Sequence, residues 1–134
     1  MENNIIHYEG GGVREDASTK GTYRTMSPVA LTRLSHRYQY GELKYGASDN
    51  YKAGLPVSNC WDSAMRHLVA YANGDNSEDH LAAVAWNVMA MMHNEIFHPE
   101  FQDFKTRKNI PPKRCRPEYY RDLALEALKK GNVK

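Results

Sequence analysis

The run LAAVAWNVMAMM, Leu81 to Met92, constrains the fold of this chain more than any other segment. Its single polar residue is Asn87. A surface helix carries one apolar stripe, whereas a helix that is apolar on every side is surrounded by protein. Twelve residues are too few to span a bilayer, so we expect no membrane partner. The run predicts the central helix of a small all-α bundle, packed against other helices or a second subunit.

A first helix is predicted to begin at Ser27-Pro28 and to end at Gly46. Serine caps the free N–H groups of a helix, and proline at the first helical position has no N–H to lose. Gly41 lies inside this helix at a cost of about 1 kcal/mol relative to alanine. A close helix crossing, or a ligand that approaches the backbone, would explain it. The helical spacing is kept by Leu31, Leu34, Tyr38 and Tyr45.

A second helix is predicted to follow a connection over 46–58, which Gly54 and Pro56 interrupt. It begins at Ser58 or Asn59 and ends at Asn73-Gly74. One apolar stripe with helical periodicity is expected to face the core. Its members are Trp61, Ala64, Met65, Leu68, Val69 and Ala72.

The central helix is predicted to begin near Ser77, which would be its N-cap, with Asp79 and His80 in its first turn. A last helix is expected from Pro117 to Lys130. Strand patterns are nearly absent, which favours the all-α class. The last helix would turn four residues inward, namely Tyr120, Leu123, Ala127 and Leu128.

With 134 residues, the chain has the length of one domain. We divide it into an extended polar N-terminal arm over 1–26, a helical domain over 27–98, and a basic linker with a C-terminal helix over 99–134. Apolar residues concentrate in the middle segment. The arm and the last helix therefore exceed what one core needs, and we expect them to reach a second subunit in a homo-oligomer, a dimer or a tetramer.

Charge and cysteine content exclude several classes of protein. Lys and Arg number 18 against 16 Asp and Glu, too balanced for a protein that binds duplex nucleic acid. Cys60 and Cys115 form no CxxC pair, which argues against structural zinc and a disulfide scaffold. The N-terminus lacks the pattern of a secretory signal, so we expect a cytoplasmic location. A local basic cluster favours a solvated tail and comprises Lys105, Arg107, Lys108, Lys113, Arg114 and Arg116.

A polar seam interrupts the central helix. His80, Asn87 and Asn94 are seven residues apart and share one face. A buried amide costs roughly 1–3 kcal/mol unless its hydrogen bonds are met. Asn87 therefore either bridges to a neighbouring helix or contacts a ligand. The seam resembles the wall of a polar pocket.

The two outer helices add charged candidates. Asp62 and Arg66 form either a surface ion pair or, facing the seam, a cation ligand and a phosphate ligand. Glu42 and Lys44 at the end of the first helix either bracket a metal–phosphate ligand or are solvated. Metal phosphohydrolases with an adjacent His-Asp pair fit poorly, because the order here is Asp79-His80. The paired Glu-x-x-Glu or Glu-x-x-Asp motifs of helical nucleotide pyrophosphatases are also missing in strict form.

A longer set of motifs resembles the phage and prophage family called dATP/dGTP diphosphohydrolase, N-terminal, which is similar to the MazG-like all-α pyrophosphatases. The motifs lie within about residues 10 to 96. They include Gly12-Val-Arg-Glu-Asp16, Lys20-Gly21, Ser27-Pro-Val-Ala-Leu31, Gly41-Glu-Leu-Lys-Tyr-Gly46, Asn50-Tyr51, Gly54-Leu-Pro, Asp62-Ser-Ala-Met-Arg-His-Leu68, Gly74 and Glu78-Asp-His-Leu-Ala-Ala-Val-Ala-Trp-Asn87.

The resemblance implies cleavage of a purine deoxynucleoside triphosphate to the monophosphate and pyrophosphate, with Mg²⁺ or Mn²⁺. The domain over 27–98 would then bind a nucleotide, and a phage-encoded chain would lie in the host cytoplasm. We expect Asp62 and Asp79 to hold the metal ion, with Glu42 as a further carboxylate ligand. We expect catalytic roles for Asp62, Arg66, His67 and Lys44. We expect substrate contacts from Asn50, Tyr51, His80, Trp86 and Asn87.

Two positions depart from the family pattern. Gln39 stands where an acidic residue is usual, and Tyr51 stands where a tryptophan is usual. Glu42, on the same face as Gln39, offers a substitute carboxylate. The departures and the missing strict pairs leave two alternatives to the enzyme. One is a protein that binds or sequesters a nucleotide or nucleotide-derived signal without catalysis. The other is a scaffold whose polar seam sets the register of an oligomer.

Overall fold

A computed structural model describes residues 4–46, 50–113 and 118–131. The chain forms two compact units, one from the described parts of 1–25 and 113–134, the other over 26–112. The described residues are mostly helical, as the all-α prediction requires. No helix among them is long and apolar enough to cross a membrane. The helices are α1 (Pro28–Tyr45), α2 (Val57–Ala72), α3 (His80–Phe97) and α4 (Tyr119–Lys129).

Helix α1 begins and ends where the sequence predicts. The Ser27 hydroxyl accepts a hydrogen bond from the Ala30 N–H at 3.2 Å. Gly46 ends the helix with a φ of 70°, and its N–H donates to the Glu42 carbonyl at 2.8 Å. A Cβ on Gly41 would meet no described side chain or neighbouring element within 4 Å. A close helix crossing therefore does not explain this glycine, which instead lines a cavity.

Helix α2 begins at Val57, one residue before the predicted range of starts. Neither Ser58 nor Asn59 caps it through a side chain. Instead the Ser58 N–H donates to Asp103 Oδ1 at 2.9 Å, and the Ser58 hydroxyl donates to the second carboxylate oxygen. The cap comes from 45 residues further along the chain. Local sequence patterns do not contain this information.

Helix α3 begins three residues after Ser77, so the predicted cap is wrong. Ser77 instead closes a turn with Asp75, whose carboxylate accepts its hydroxyl at 2.8 Å. Asp79 is the N-cap, because its Oδ1 accepts the Ala82 N–H at 3.1 Å. The turn and the cap together fix the polar groups at the start of α3.

Helix α3 packs against both α1 and α2, with α2 as its main neighbour. Small side chains fill this contact, which lets the helix axes approach closely. The buried apolar residues of the two helices are Val57, Cys60, Ala64, Ala82, Ala83 and Ala90. Helix α3 therefore contacts both other helices of this unit, as its largely apolar sequence predicts.

Most of the predicted stripe on α2 is exposed in the single chain. Trp61 is 47% exposed and Val69 is 54% exposed, while the buried face runs through Val57, Cys60 and Ala64. Helix α3 also keeps an exposed apolar side, with Met92 at 55%. One chain therefore does not surround α3 on every side.

The connection between α1 and α2 is docked onto the end of α3. Its described part contains a 3-10 turn over Asn50–Ala53. Gly54 follows with a φ of 98°, and a Cβ there would lie 2.4 Å from Cε2 of Phe101. A ring nitrogen of His98, Nε2, hydrogen-bonds the Lys52 carbonyl at 2.7 Å. Only glycine fits this position, and the docked turn holds Asn50 in place.

The 99–112 segment, which the sequence assigns to the basic linker, belongs to the helical unit. The Phe104 ring contacts the Trp61 ring edge to face at 5.9 Å. Lys105, Arg107, Lys108 and Lys113 are exposed, as expected for a solvated stretch. Pro117 and the remaining members of the basic cluster, Arg114 and Arg116, lie outside the described residues together with Cys115.

The N-terminal arm contains a hairpin that the sequence analysis missed. Strands β1 (Ile5–His7) and β2 (Val13–Glu15) pair antiparallel, with Ile6 opposite Arg14. Strands of three residues are too short to show the alternation of apolar and polar residues that predicts a strand. Gly11, with a φ of 89°, lies in the turn between them.

Helix α4 belongs to the same unit as the hairpin. Its residues Tyr120, Leu123 and Leu128 are between 49% and 67% exposed. The prediction that these side chains face inward is therefore wrong for the single chain.

We expect a homo-oligomer, because the exposed stripe on α2 is more apolar than a solvated helix face requires. Light scattering after size exclusion at micromolar concentration should give a molar mass of a dimer or tetramer of the 15.3 kDa chain. Val69→Glu should shift the mass toward the monomer, since burying an unpaired carboxylate is costly. Leu43→Glu, at an 81% exposed position of α1, is the control. A monomeric wild type would contradict the expectation.

Candidate functional site

A cavity of about 210 Å³ lies among α1, α2, α3 and the 3-10 turn. It is open to solvent on one side. Aromatic rings, amides and one arginine form its wall. The lining residues are Arg37, Tyr40, Gly41, Tyr45, Asn50, Leu55, Asn59, Cys60, Ser63, Trp86 and Asn87.

Asn87 makes the bridge between helices that was one of the two alternatives for this buried amide. Its Nδ2 donates to the Ala83 carbonyl at 2.8 Å and to the Ser63 hydroxyl at 3.3 Å. The amide therefore bridges α3 to α2, and it also lines the cavity. Both of its N–H groups are used, so Oδ1 is the atom available to a ligand as an acceptor. Asn50 and Asn59 add amides to the same wall.

Arg37 supplies positive charge at the cavity. Its Nη1 donates to Glu78 Oε1 at 2.7 Å, and its guanidinium lies 4.9 Å from the centre of the Tyr40 ring. This hydrogen bond lowers the pKa of Glu78 below its usual value. Lys44 adds a second cation, since its Nζ lies 5.3 Å from the Tyr45 ring centre. The edge of the cavity can therefore hold an anionic group.

A group of histidines lies at the start of α3, beside Glu78. The Nδ1 atoms of His67 and His80 are 2.9 Å apart. Glu78 Oε1 lies 3.9 Å from His67 Nδ1. Burial lowers the pKa of His67, which favours its neutral imidazole. Among the described residues, His67, Glu78 and His80 form the one group of three whose metal-ligating atoms all lie within 4.8 Å of one another.

His80 is held by its second ring nitrogen. Nε2 lies 2.6 Å from Asp75 Oδ2, and Asp75 is itself fixed by the hydroxyl and N–H of Ser77. His80 is 6% exposed, so this contact satisfies a buried polar group. The bond to His80 also lowers the pKa of Asp75.

The three carboxylates predicted as metal ligands are not brought together. Asp79 accepts two hydrogen bonds from Arg33, at 2.8 and 2.7 Å, and these lower its pKa to about 2. Asp62 lines a separate shallow hollow together with Arg66. Glu42 is exposed on α1. The structure gives no support to a single metal site made of Glu42, Asp62 and Asp79.

Other predicted residues do converge. Asn50, Trp86 and Asn87 line the cavity, and Lys44 Nζ lies over the ring of Tyr45, which also lines it. The Tyr51 ring meets the Trp86 ring edge to face at 6.3 Å, so Tyr51 supports the cavity wall from behind. His67 and His80 lie together, as described above.

Sequence reasoning missed Arg37, Asn59 and Ser63 in the cavity, and Asp75 and Glu78 beside the histidines. Helical spacing contained one signal, since Arg37 and Gly41 are four residues apart on one face of α1. Glu78 lies in one of the motifs that resemble the family, but no catalytic or binding role was predicted for it. The position of Asp75 depends on the turn before α3, which no periodicity reveals.

The geometry describes an all-α domain with an amide-lined cavity and a neighbouring cation-rich edge. A protein-family model described as dATP/dGTP diphosphohydrolase, N-terminal, matches residues 11–104. The match spans well over half of the chain, and the chain belongs to this family. It confirms the resemblance and includes the cavity and the histidine group. Neither the curated proteins nor the solved structures contain a match to this chain.

Asp79 is expected to stabilise the fold through its cap and its ion pair. Asp79→Ala should lower the free energy of unfolding by about 1–2 kcal/mol, because the Ala82 N–H loses its acceptor. Arg33→Gln removes the ion pair and keeps the cap, so its effect should be smaller. Urea denaturation of both variants measures the difference.

The pH dependence follows from the lowered pKa of Asp79. A carboxyl with a depressed folded-state pKa stabilises the fold above its unfolded value and loses this effect as the pH falls. The contribution of Asp79 should therefore fade from about pH 4 to about pH 2, and should be absent in Asp79→Ala. An unchanged stability of Asp79→Ala combined with lost activity would instead support a metal-binding role.

Proposed function

We propose that this protein hydrolyses a purine deoxynucleoside triphosphate to the monophosphate and pyrophosphate. The family match over residues 11–104 carries the proposal. The cavity supports it, because amides and aromatic rings are the groups that recognise a nucleobase by hydrogen bonds and stacking.

The base is proposed to bind inside the cavity. At about 210 Å³ the cavity is smaller than the roughly 300–1,000 Å³ of a complete small-molecule site, so it suits a base and leaves the triphosphate outside. Asn87 Oδ1 is placed to accept from an exocyclic amine, and Asn50 and Asn59 offer both donors and acceptors. Trp86 and Tyr45 provide apolar faces.

The triphosphate is proposed to extend toward Arg37 and Lys44. Water attacks the α-phosphorus and releases a proton to solvent, the bond to the bridging oxygen breaks, and pyrophosphate leaves with the electron pair of that bond. Negative charge grows on the phosphate oxygens during this step. Fixed cations aimed at those oxygens lower the barrier, and a guanidinium suits them through paired N–H donors. Arg37 is already oriented by Glu78, so little reorganisation is needed.

A divalent metal, Mg²⁺ or Mn²⁺, remains part of the proposal. Such an ion polarises a phosphoryl oxygen and lowers the pKa of bound water. Glu42, Asp62 and Asp79 do not fit this ion as one site, because their carboxylates lie apart and Asp79 is engaged by Arg33. The proposed hydrolysis therefore assigns no step to a metal ion held by these three residues.

Arg37→Gln is expected to lower kcat/KM for the preferred purine dNTP by roughly 10²–10³-fold, because a charge that stabilises the transition state is lost. Product analysis with each of the four dNTPs and Mg²⁺ or Mn²⁺ measures this. Arg66→Gln is the comparison, since Arg66 lies in the separate hollow on α2. If only Arg66→Gln lost activity, the catalytic arginine would be Arg66, as the sequence predicts, and not Arg37 at the cavity.

Binding without turnover is the second candidate, and the separation of the three predicted carboxylates favours it. Calorimetry should then show metal-independent binding of a purine dNTP that is recovered intact. Asn87→Leu should weaken that binding, because it removes an acceptor in the cavity. The absence of both turnover and binding for all four dNTPs would overturn the proposed function in either form.

A further inference from the structure

The ring nitrogens of His67 and His80 are placed as two ligands of one metal ion would be. Metal–nitrogen bonds of roughly 2.0–2.1 Å put two neighbouring imidazole nitrogens roughly 2.9–3.4 Å apart. The two Nδ1 atoms are 2.9 Å apart. The rings are tilted by 45° with centres 5.1 Å apart, so they are not stacked face to face.

The contact with Asp75 selects the ring form of His80 that binds metal. Nε2 lies 2.6 Å from the carboxylate, which keeps the proton on Nε2 and leaves a lone pair on Nδ1. A carboxylate that holds the far nitrogen of a histidine is the usual outer support of a metal ligand. Without metal, the Nδ1–H of His67 donates to this lone pair. Metal binding requires only that His67 carry its proton on Nε2 instead.

Glu78 adds an oxygen donor to the two nitrogens. Its Oε1 lies 3.9 Å from His67 Nδ1, and Arg37 restrains the carboxylate by a 2.7 Å hydrogen bond. The Glu78 side chain is 43% exposed, whereas the His80 side chain is 5% exposed. Glu78, Asp75 and His80 line a hollow that opens to solvent. An ion can therefore enter from this side and keep water in its remaining positions.

We propose that His67 Nδ1, His80 Nδ1 and the Glu78 carboxylate bind one divalent first-row transition-metal ion. Two imidazoles and one carboxylate suit Zn²⁺, Co²⁺, Fe²⁺ or Mn²⁺, whereas Mg²⁺ prefers oxygen ligands. Arg37 touches both Glu78 and the cavity, so the ion would lie next to the proposed path of the phosphates. The site stands on its own geometry, and its test needs no nucleotide.

The test is a titration of the untagged full-length chain with Co²⁺, followed by visible absorption, and with Zn²⁺, followed by calorimetry. We expect one ion per chain and d–d bands with an imidazole contribution. His67→Gln and Glu78→Gln should each weaken binding by at least about tenfold. His36→Gln, at an exposed histidine of α1, should bind as the wild type does. Excess Mg²⁺ should not displace Co²⁺.

Equal affinity of wild type and His67→Gln would overturn the proposal, as would binding that His36→Gln abolishes or Mg²⁺ displaces. His80 is buried, so its variants can fail to fold for structural reasons. Nitrogen-15 spectra of the histidine rings in the wild-type chain avoid this problem. Zn²⁺ should shift the Nδ1 signals of His67 and His80 and leave Nε2 of both rings protonated. Unchanged Nδ1 signals at saturating Zn²⁺ would show a hydrogen-bonded histidine pair only.

Discussion

The close packing of α2 on α3 is the constraint on which the rest of the structure depends. Alanines at the contact bring the helices together, and the same face of α3 carries His80, Asn87 and Asn94 into the interior. Each buried polar group then needs a partner, since an unmet hydrogen bond costs about 1–3 kcal/mol. His80 finds Asp75 and His67, whereas Asn87 finds Ala83 and Ser63.

Asn94 is the exception. It is fully buried, and its amide has no hydrogen-bond partner in the described part of the chain. The seam therefore costs stability as well as organising the interior. The other two seam residues, His80 and Asn87, pair with side chains that line hollows open to solvent. Buried polar residues of the bundle are thereby connected to groups that a ligand can reach. The Arg37–Glu78 hydrogen bond connects these two hollows.

The sequence predicts the parts of the fold that depend on local chemistry. The boundaries of α1 follow from Ser27, Pro28 and Gly46. The polar seam follows from the spacing of seven residues between its members. The start of α2 could not be predicted, because Asp103 caps it from a distant segment. Of the predicted substrate residues on α3, Trp86 and Asn87 line the cavity, whereas His80 lines the neighbouring hollow. The charged residues could not be placed from the sequence. Asp62 and Asp79 lie in the same sequence motifs as residues of the site. Only tertiary packing shows that Arg33 binds Asp79 and that Asp62 lies in a separate hollow.

The most direct test is a crystal structure of the chain with Co²⁺ and a non-hydrolysable purine dNTP analogue, with anomalous data at the cobalt edge. We expect the base in the cavity against Trp86 and Asn87, the phosphates beside Arg37, and an anomalous cobalt peak bonded to His67 and His80. A cobalt ion on Asp62, or a nucleotide in the hollow of Arg66, would contradict this expectation.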